Sequence, residues 1–181
     1  MKNIYIFLLF ISSLLGFGQS QCNNEGFEGN DVSGYTFRTQ VYTITSWTQY
    51  NNFPNSVSTP LYALTTNTID QITGLPKVSS GDSAVRLNDN IPDNSVTSIR
   101  KSFTVSQNTI SFKYAVVLDN AYSINHPGAN AYFQYRLLDS NNNLINGTNR
   151  IIDYQDVSLI TSSGNPNPTK YSPWTCAVIN T

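Results

Sequence analysis

Beyond the first twenty residues, apolar positions recur at every second residue and not at every third or fourth. Such a period of two is the signature of a strand with one buried face. In "TISFKYAVVLD" (109–119), Ile110, Phe112, Tyr114, Val116 and Leu118 share a face. In "AYFQYRLLD" (131–139), Phe133, Tyr135 and Leu137 share one. "SIRKSFTV" (98–105) places Ile99, Phe103 and Val105 together, and "SAVRL" (83–87) sends Val85 and Leu87 one way and Arg86 the other. "VYTITSW" (41–47), "NRIIDY" (149–154) and "WTCAVI" (174–179) complete the set of expected strands. Each apolar side chain buried against a second sheet contributes ~1.5–3 kcal/mol.

Turn chemistry separates the runs. "LNDNIPDNS" (87–95) reads as a loop, and "DSNNNLINGTN" (139–149) as a hairpin connection in which Asn and Gly supply positive φ. "SSGNPNPTKYSP" (162–173) reads as a proline-interrupted loop, and residues 51–80 as a long irregular excursion. Many short strands with this punctuation predict an all-β chain, an antiparallel β-sandwich. No internal repeat, charge run or domain boundary interrupts residues 21–181, which read as one domain.

The N-terminus has a different pattern. Lys2 precedes an apolar run from Ile4 to Leu15, and the small residues of "GFGQS" follow. This is a signal peptide over residues 1–18, with cleavage after Gly18 favoured over Ser20. The run is short of the ~20 residues a membrane span requires. Export sets the context for the rest: charged residues are only 12% of the chain, about half the usual ~25%. A net charge of −1 with no basic patch argues against nucleic acid as a partner. Cys22 and Cys176 are the two cysteines. Oxidising surroundings favour a Cys22–Cys176 disulfide, unless each pairs within a longer chain. One histidine and two distant cysteines exclude a Cys/His zinc site.

The order of motifs "GDSAVRLN", Tyr114 to Leu118, His126-Pro127, Phe133 to Asp139 and Trp174, preceded by Cys22 and the pair Phe27-Glu28, resembles a known family. It is similar to the N-terminal jelly-roll domain of secreted, multidomain surface and gliding-associated proteins of Bacteroidetes. That domain looks like a carbohydrate-binding module. The resemblance covers roughly residues 22–181 and implies a jelly roll. Family members continue past the Trp strand into an Asp-Cys and Gly-Gly-His-type strand that has no counterpart here. The expectation is therefore a C-terminally incomplete sandwich whose open sheet edge could self-associate. The resemblance further implies a structural calcium with Glu28 as ligand, although calcium needs six to eight oxygens.

Candidate chemistry is sparse. His126 lies between Asp119, Ser123 and a Pro-Gly turn, but "GDSAV" (81–85) lacks the second glycine of a nucleophile elbow, so the histidine reads as a loop residue. "DSNNNLING" begins like an EF-hand loop, yet its sixth position is Leu144 and its twelfth Arg150, which leaves a hairpin turn. Scattered aspartates single out no carboxylate pair for glycoside hydrolysis. Exposed aromatic rings could stack on sugars, and Trp47, Tyr50, Tyr62, Tyr122 and Trp174 are the candidates, with His126 on the same rim. The sequence reading is a secreted, non-catalytic module of a cell-surface adhesion protein. Its partner by resemblance is a polysaccharide or surface glycan. The alternatives are an accessory part of an extracellular glycanase or peptidase, and a structural spacer.

Overall fold

The computed structural model describes residues 27, 31–42, 54, 63–65, 68–88, 95–119, 130–162 and 168–181. Within them the chain is all-β and every strand pairing is antiparallel. β1 (Tyr35–Val41) pairs with β4 (Ser95–Lys101), and β2 (Ala63–Thr65) with β3 (Ser83–Val85). β5 (Thr109–Leu118), β9 (Lys170–Asn180) and the short β8 (Ile160–Thr161) form a sheet in the order β5-β9-β8. β6 (Tyr132–Tyr135) and β7 (Arg150–Asp153) form a hairpin.

The core sits between β5 and the β6–β7 hairpin. Val116 and Leu118 from β5 meet Ile152 from β7, with Tyr154 and Leu159 from the turn that follows. Tyr114, Ala131 and Phe133 pack against this cluster. These residues belong to two separate ladders, so they meet face to face, as the two layers of a sandwich do. β9 extends the layer: Ala177 and Ile179 are buried opposite Phe112 and Ile110.

The predicted faces of β5 and β6 hold. Among the described residues a strand that the sequence reading did not name, Tyr35–Val41, precedes the expected 41–47, most of which lies outside the described residues; Phe37, buried opposite Ile99, anchors it. Elsewhere the structure corrects the reading in three places. β4 ends at Lys101, so residues 102–106 have no ladder, and Phe103 and Val105 are exposed instead of buried. β3 ends at Val85, and Ser83 and Ala84 take the buried positions. The chain turns there because Arg86 Nε donates to the Asn88 carbonyl (3.0 Å), where Asn88 adopts φ 68°. Finally, residues 170–173 are strand and not loop, with Pro173 inside β9. The register explains this: Tyr114 pairs with Thr175 and Val116 with Ser172, so residues 173 and 174 together oppose Ala115. A bulge is where a strand tolerates a proline without an N–H.

Candidate functional site

Phe112 and Tyr114 lie on the same face of β5 as the buried Val116 and Leu118, and Phe133 and Tyr135 of β6 face them. Their rings form one continuous array. Phe112 meets Tyr135 edge to face at 5.1 Å, Tyr114 stacks on Phe133 at 5.0 Å, and Tyr114 lies 5.8 Å from Tyr135. Offset and edge-to-face pairs of this kind add ~0.5–1.5 kcal/mol beyond burial. Exposure changes along the array. Val116 and Leu118 are buried, whereas all four rings are half-buried. The rings are less covered than Val116 and Leu118, while Ala177 and Ile179 of β9 stay buried beside Phe112 and Ile110.

Charge stands beside the rings. Antiparallel pairing puts Arg150 opposite Tyr135. Its Nη2 donates to Asp156 Oδ2 at 3.3 Å, with the arginine side chain 54% exposed and that of the aspartate 18%. The turn after β7 fixes Asp156. Its backbone N–H donates to the Asp153 carbonyl, and its Oδ1 accepts from the Ser158 N–H (2.9 Å) and hydroxyl (2.6 Å). Val157, between them, is 99% exposed. The bonds from the Ser158 hydroxyl and amide, followed by Arg150, hold Asp156 below the usual carboxylate range. Tyr114 moves the other way: burial pushes its phenol up, with Tyr135 and Asp156 adding to the effect and Arg150 opposing it. At neutral pH the site therefore offers a neutral phenol, a half-exposed guanidinium and an ionised carboxylate near the aromatic rings.

Of the site residues the sequence singled out, two fall within the described residues. Trp174 is half-buried, and its Nε1 donates to the Pro76 carbonyl at 2.7 Å. That contact docks the turn at 69–76 onto β9. Cys176 is exposed on β9 and disulfide-bonded. Cys22, Glu28, Trp47, Tyr50, Tyr62, Tyr122 and His126 lie outside the described residues. Described residues flank the segment that carries Tyr122 and His126: Asp119 accepts from the buried Thr169 hydroxyl at 2.6 Å, and Ala131 packs on the core.

The EF-hand-like stretch is a turn. Asp139 Oδ1 accepts from the N–H groups of Asn141 and Asn143 (2.8 Å each), and its Oδ2 accepts from Asn143 Nδ2 (3.1 Å). Three hydrogen bonds tie the carboxylate to its own loop. Among the described residues no group of three His, Cys, Asp or Glu is placed to hold a metal ion. No helix of the described residues is long and apolar enough to cross a membrane.

Sequence reasoning assigned Tyr114, Phe133 and Tyr135 to the core and passed over Arg150, Asp156 and Val157. The signal was local: "DVS" (156–158) is an aspartate followed two residues on by serine, a turn signature. What brings that turn to the rings is the β6–β7 register, which no single stretch of sequence states. Comparison with known proteins finds no matching family model, curated protein or solved structure.

Proposed function

We propose that this chain is an exported, non-catalytic β-sandwich module that binds glycans at its half-buried aromatic array. The observation carrying the reading is the half-buried set Phe112, Tyr114, Phe133 and Tyr135, bordered by the Arg150–Asp156 pair. Sugars present apolar C–H faces and polar hydroxyl rims. A ring surface beside a guanidinium, a carboxylate and a phenol matches both, in the manner of pockets that are mostly apolar with a few fixed polar groups. Strands position these groups, and the Asp156–Ser158 bonds orient the carboxylate before any ligand arrives.

Binding suits the electrostatics better than hydrolysis. Hydrolysis by two carboxylates requires one with a raised pKa to act as acid. Here Asp156 is shifted down and Tyr114 up, both away from neutrality. A jelly-roll winding, a cell-surface location in a Bacteroidetes-like context and a calcium held by Glu28 are further parts of the proposal, supported by the sequence resemblance alone.

The test is affinity electrophoresis of the exported chain through gels containing a panel of neutral and acidic polysaccharides. Retardation by at least one polysaccharide is expected. Tyr135→Ala and Arg150→Ala should each abolish it while keeping the wild-type circular dichroism spectrum. Absence of retardation across the panel, or retardation that survives both substitutions, overturns the assignment.

A further inference from the structure

The hairpin between β6 and β7 carries a chemically reactive position. We propose that Asn146 is a site of spontaneous, water-dependent conversion to aspartate and isoaspartate in the folded protein.

Asn146-Gly147 is the single Asn-Gly step in the chain. It forms the middle of a four-residue turn closed by the Thr148 N–H to the Ile145 carbonyl (3.2 Å). Gly147 has φ +79° and Asn146 does not have positive φ, the signature of a type II turn. Both residues are exposed. A Cβ built on Gly147 would meet nothing within 4 Å, so the approach to its nitrogen is open. Among the described residues neither the Asn146 side chain nor the Gly147 N–H has a hydrogen-bond partner. Solvent alone satisfies them.

Three neighbouring asparagines are engaged. Asn142 Oδ1 accepts from Arg100 Nη2, Asn143 Nδ2 donates to Asp139, and Asn149 Oδ1 accepts from Gln134 Nε2 (2.8 Å). Each is followed by a residue with a side chain, which crowds the backbone nitrogen that must attack. Glycine imposes no such barrier.

The reaction balances without an oxidant or a second enzyme. The Gly147 backbone nitrogen attacks the Asn146 side-chain carbonyl carbon and loses its proton. A C–N bond forms, the bond to the amide nitrogen breaks, and ammonia leaves with the proton. The product is a five-membered succinimide. Water then adds at either ring carbonyl, giving aspartate from one opening and isoaspartate from the other.

The same tripeptide, Asn146-Gly147-Thr148, is a glycosylation sequon. In the folded chain its threonine is 5% exposed, and the hydroxyl donates to the Ile145 carbonyl (2.7 Å) and accepts from the Leu137 N–H (3.1 Å). That hydroxyl is withdrawn from any transferase, whereas the Asn146 amide and the Gly147 nitrogen remain in water. Isoaspartate would insert one backbone methylene between Ile145 and Thr148, within the span that the Thr148 hydroxyl clamps.

The test is peptide mapping of the full chain, aged folded in mildly alkaline buffer made with oxygen-18 water and, in parallel, aged unfolded in urea. The expected result is that Asn146 converts before every other asparagine in the folded sample. One heavy oxygen should be incorporated, and isoaspartyl methyltransferase should label the product. Asn146→Gln should abolish the label at this peptide. Gly147→Ala should slow it by roughly an order of magnitude, as a Cβ hinders both the turn and the attack. Because Gly147→Ala could also disturb the turn, the comparison of folded with unfolded wild type decides. If Asn146 converts only in urea, or after another asparagine in the folded chain, the proposal is overturned.

Discussion

Five aspartates perform one task in this chain. Asp31, Asp70, Asp139, Asp153 and Asp156 each accept, through Oδ1, the backbone N–H of the residue two positions on. A short carboxylate reaching its own backbone mimics a turn and fixes it. In a chain so poor in charge, these acidic residues shape loops, and Asp156 pairs with Arg150 as well. The pKa directions follow. Ser33 holds Asp31 down and Asn143 holds Asp139 down, each through the amide and the side chain. Burial raises Asp70, but the bonds from Thr73 and Ile72 outweigh it. Groups whose folded pKa lies below the unfolded value of ~3.9 contribute stability that is fully present above that value. The contribution is lost as pH falls through the folded pKa. The unfolding midpoint should therefore be flat from neutrality down to about pH 5 and drop below about pH 4. Asp156→Asn keeps an oxygen for the Ser158 amide but has no charge to titrate, so its acid drop should be shallower. Urea titrations at a series of pH values measure both curves, and a parallel drop in the variant would contradict this account of Asp156.

At the scale of elements, the 139–149 connection shows how a hairpin holds its register. Leu138 and Leu144 form a bridge, and the Ile145 N–H donates to the Leu137 carbonyl. The buried Thr148 hydroxyl ties both strands of the connection together. Thr148→Val keeps the shape and removes the hydroxyl, leaving the Leu137 N–H without its acceptor. The expected cost is ~1–3 kcal/mol, the penalty for an orphaned buried donor. Thermal unfolding measures the loss, and amide exchange should accelerate first at Leu137. The sequence predicted this hairpin, including positive φ at Asn and Gly, found at Asn142 and Gly147. It also predicted the inner faces of β5 and β6. Where it failed, the cause lies in tertiary pairing. "SFTV" (102–105) alternates as well as any strand here, yet alternation supplies no partner, and Phe103 and Val105 remain exposed. Pro173 reads as a loop residue until the bulge opposite Ala115 provides it with a place in β9. The candidate site was invisible for the same reason. Tyr135 and Arg150 are fifteen residues apart and become neighbours only through register.

At the scale of the whole molecule, one covalent link bears on how the chain's ends are held. Cys176 sits on the exposed side of β9, opposite Lys113, between the buried Ala177 and the bulge at 173–174. It is disulfide-bonded, and Cys22 is the chain's other cysteine. Cys22 also lies just beyond the expected signal cleavage after Gly18, so an exported chain would begin almost at the bond. A Cys22–Cys176 bridge closes residues 22–176 into one loop. Closing a loop of this order restricts the unfolded ensemble by up to about 5 kcal/mol in the chain-entropy account, with a usual range of 2–4. That is a large share of the 5–15 kcal/mol that holds a typical domain folded. It acts on a sandwich in which the cysteine-bearing strand β9 also supplies Ala177 and Ile179 to the core and docks Trp174 on Pro76. Peptide mapping of the exported chain without reductant should recover the peptides containing Cys22 and Cys176 as one linked species. Cys176→Ser should lower the denaturation midpoint without altering the native circular dichroism, and reductant should lower the wild-type midpoint to match. If reductant leaves the wild-type midpoint unchanged, or if Cys176 is found linked to a second copy of the chain, the bridge does not staple this domain. Its stability would then come from noncovalent packing, in which the core of β5, β7 and β9 takes part.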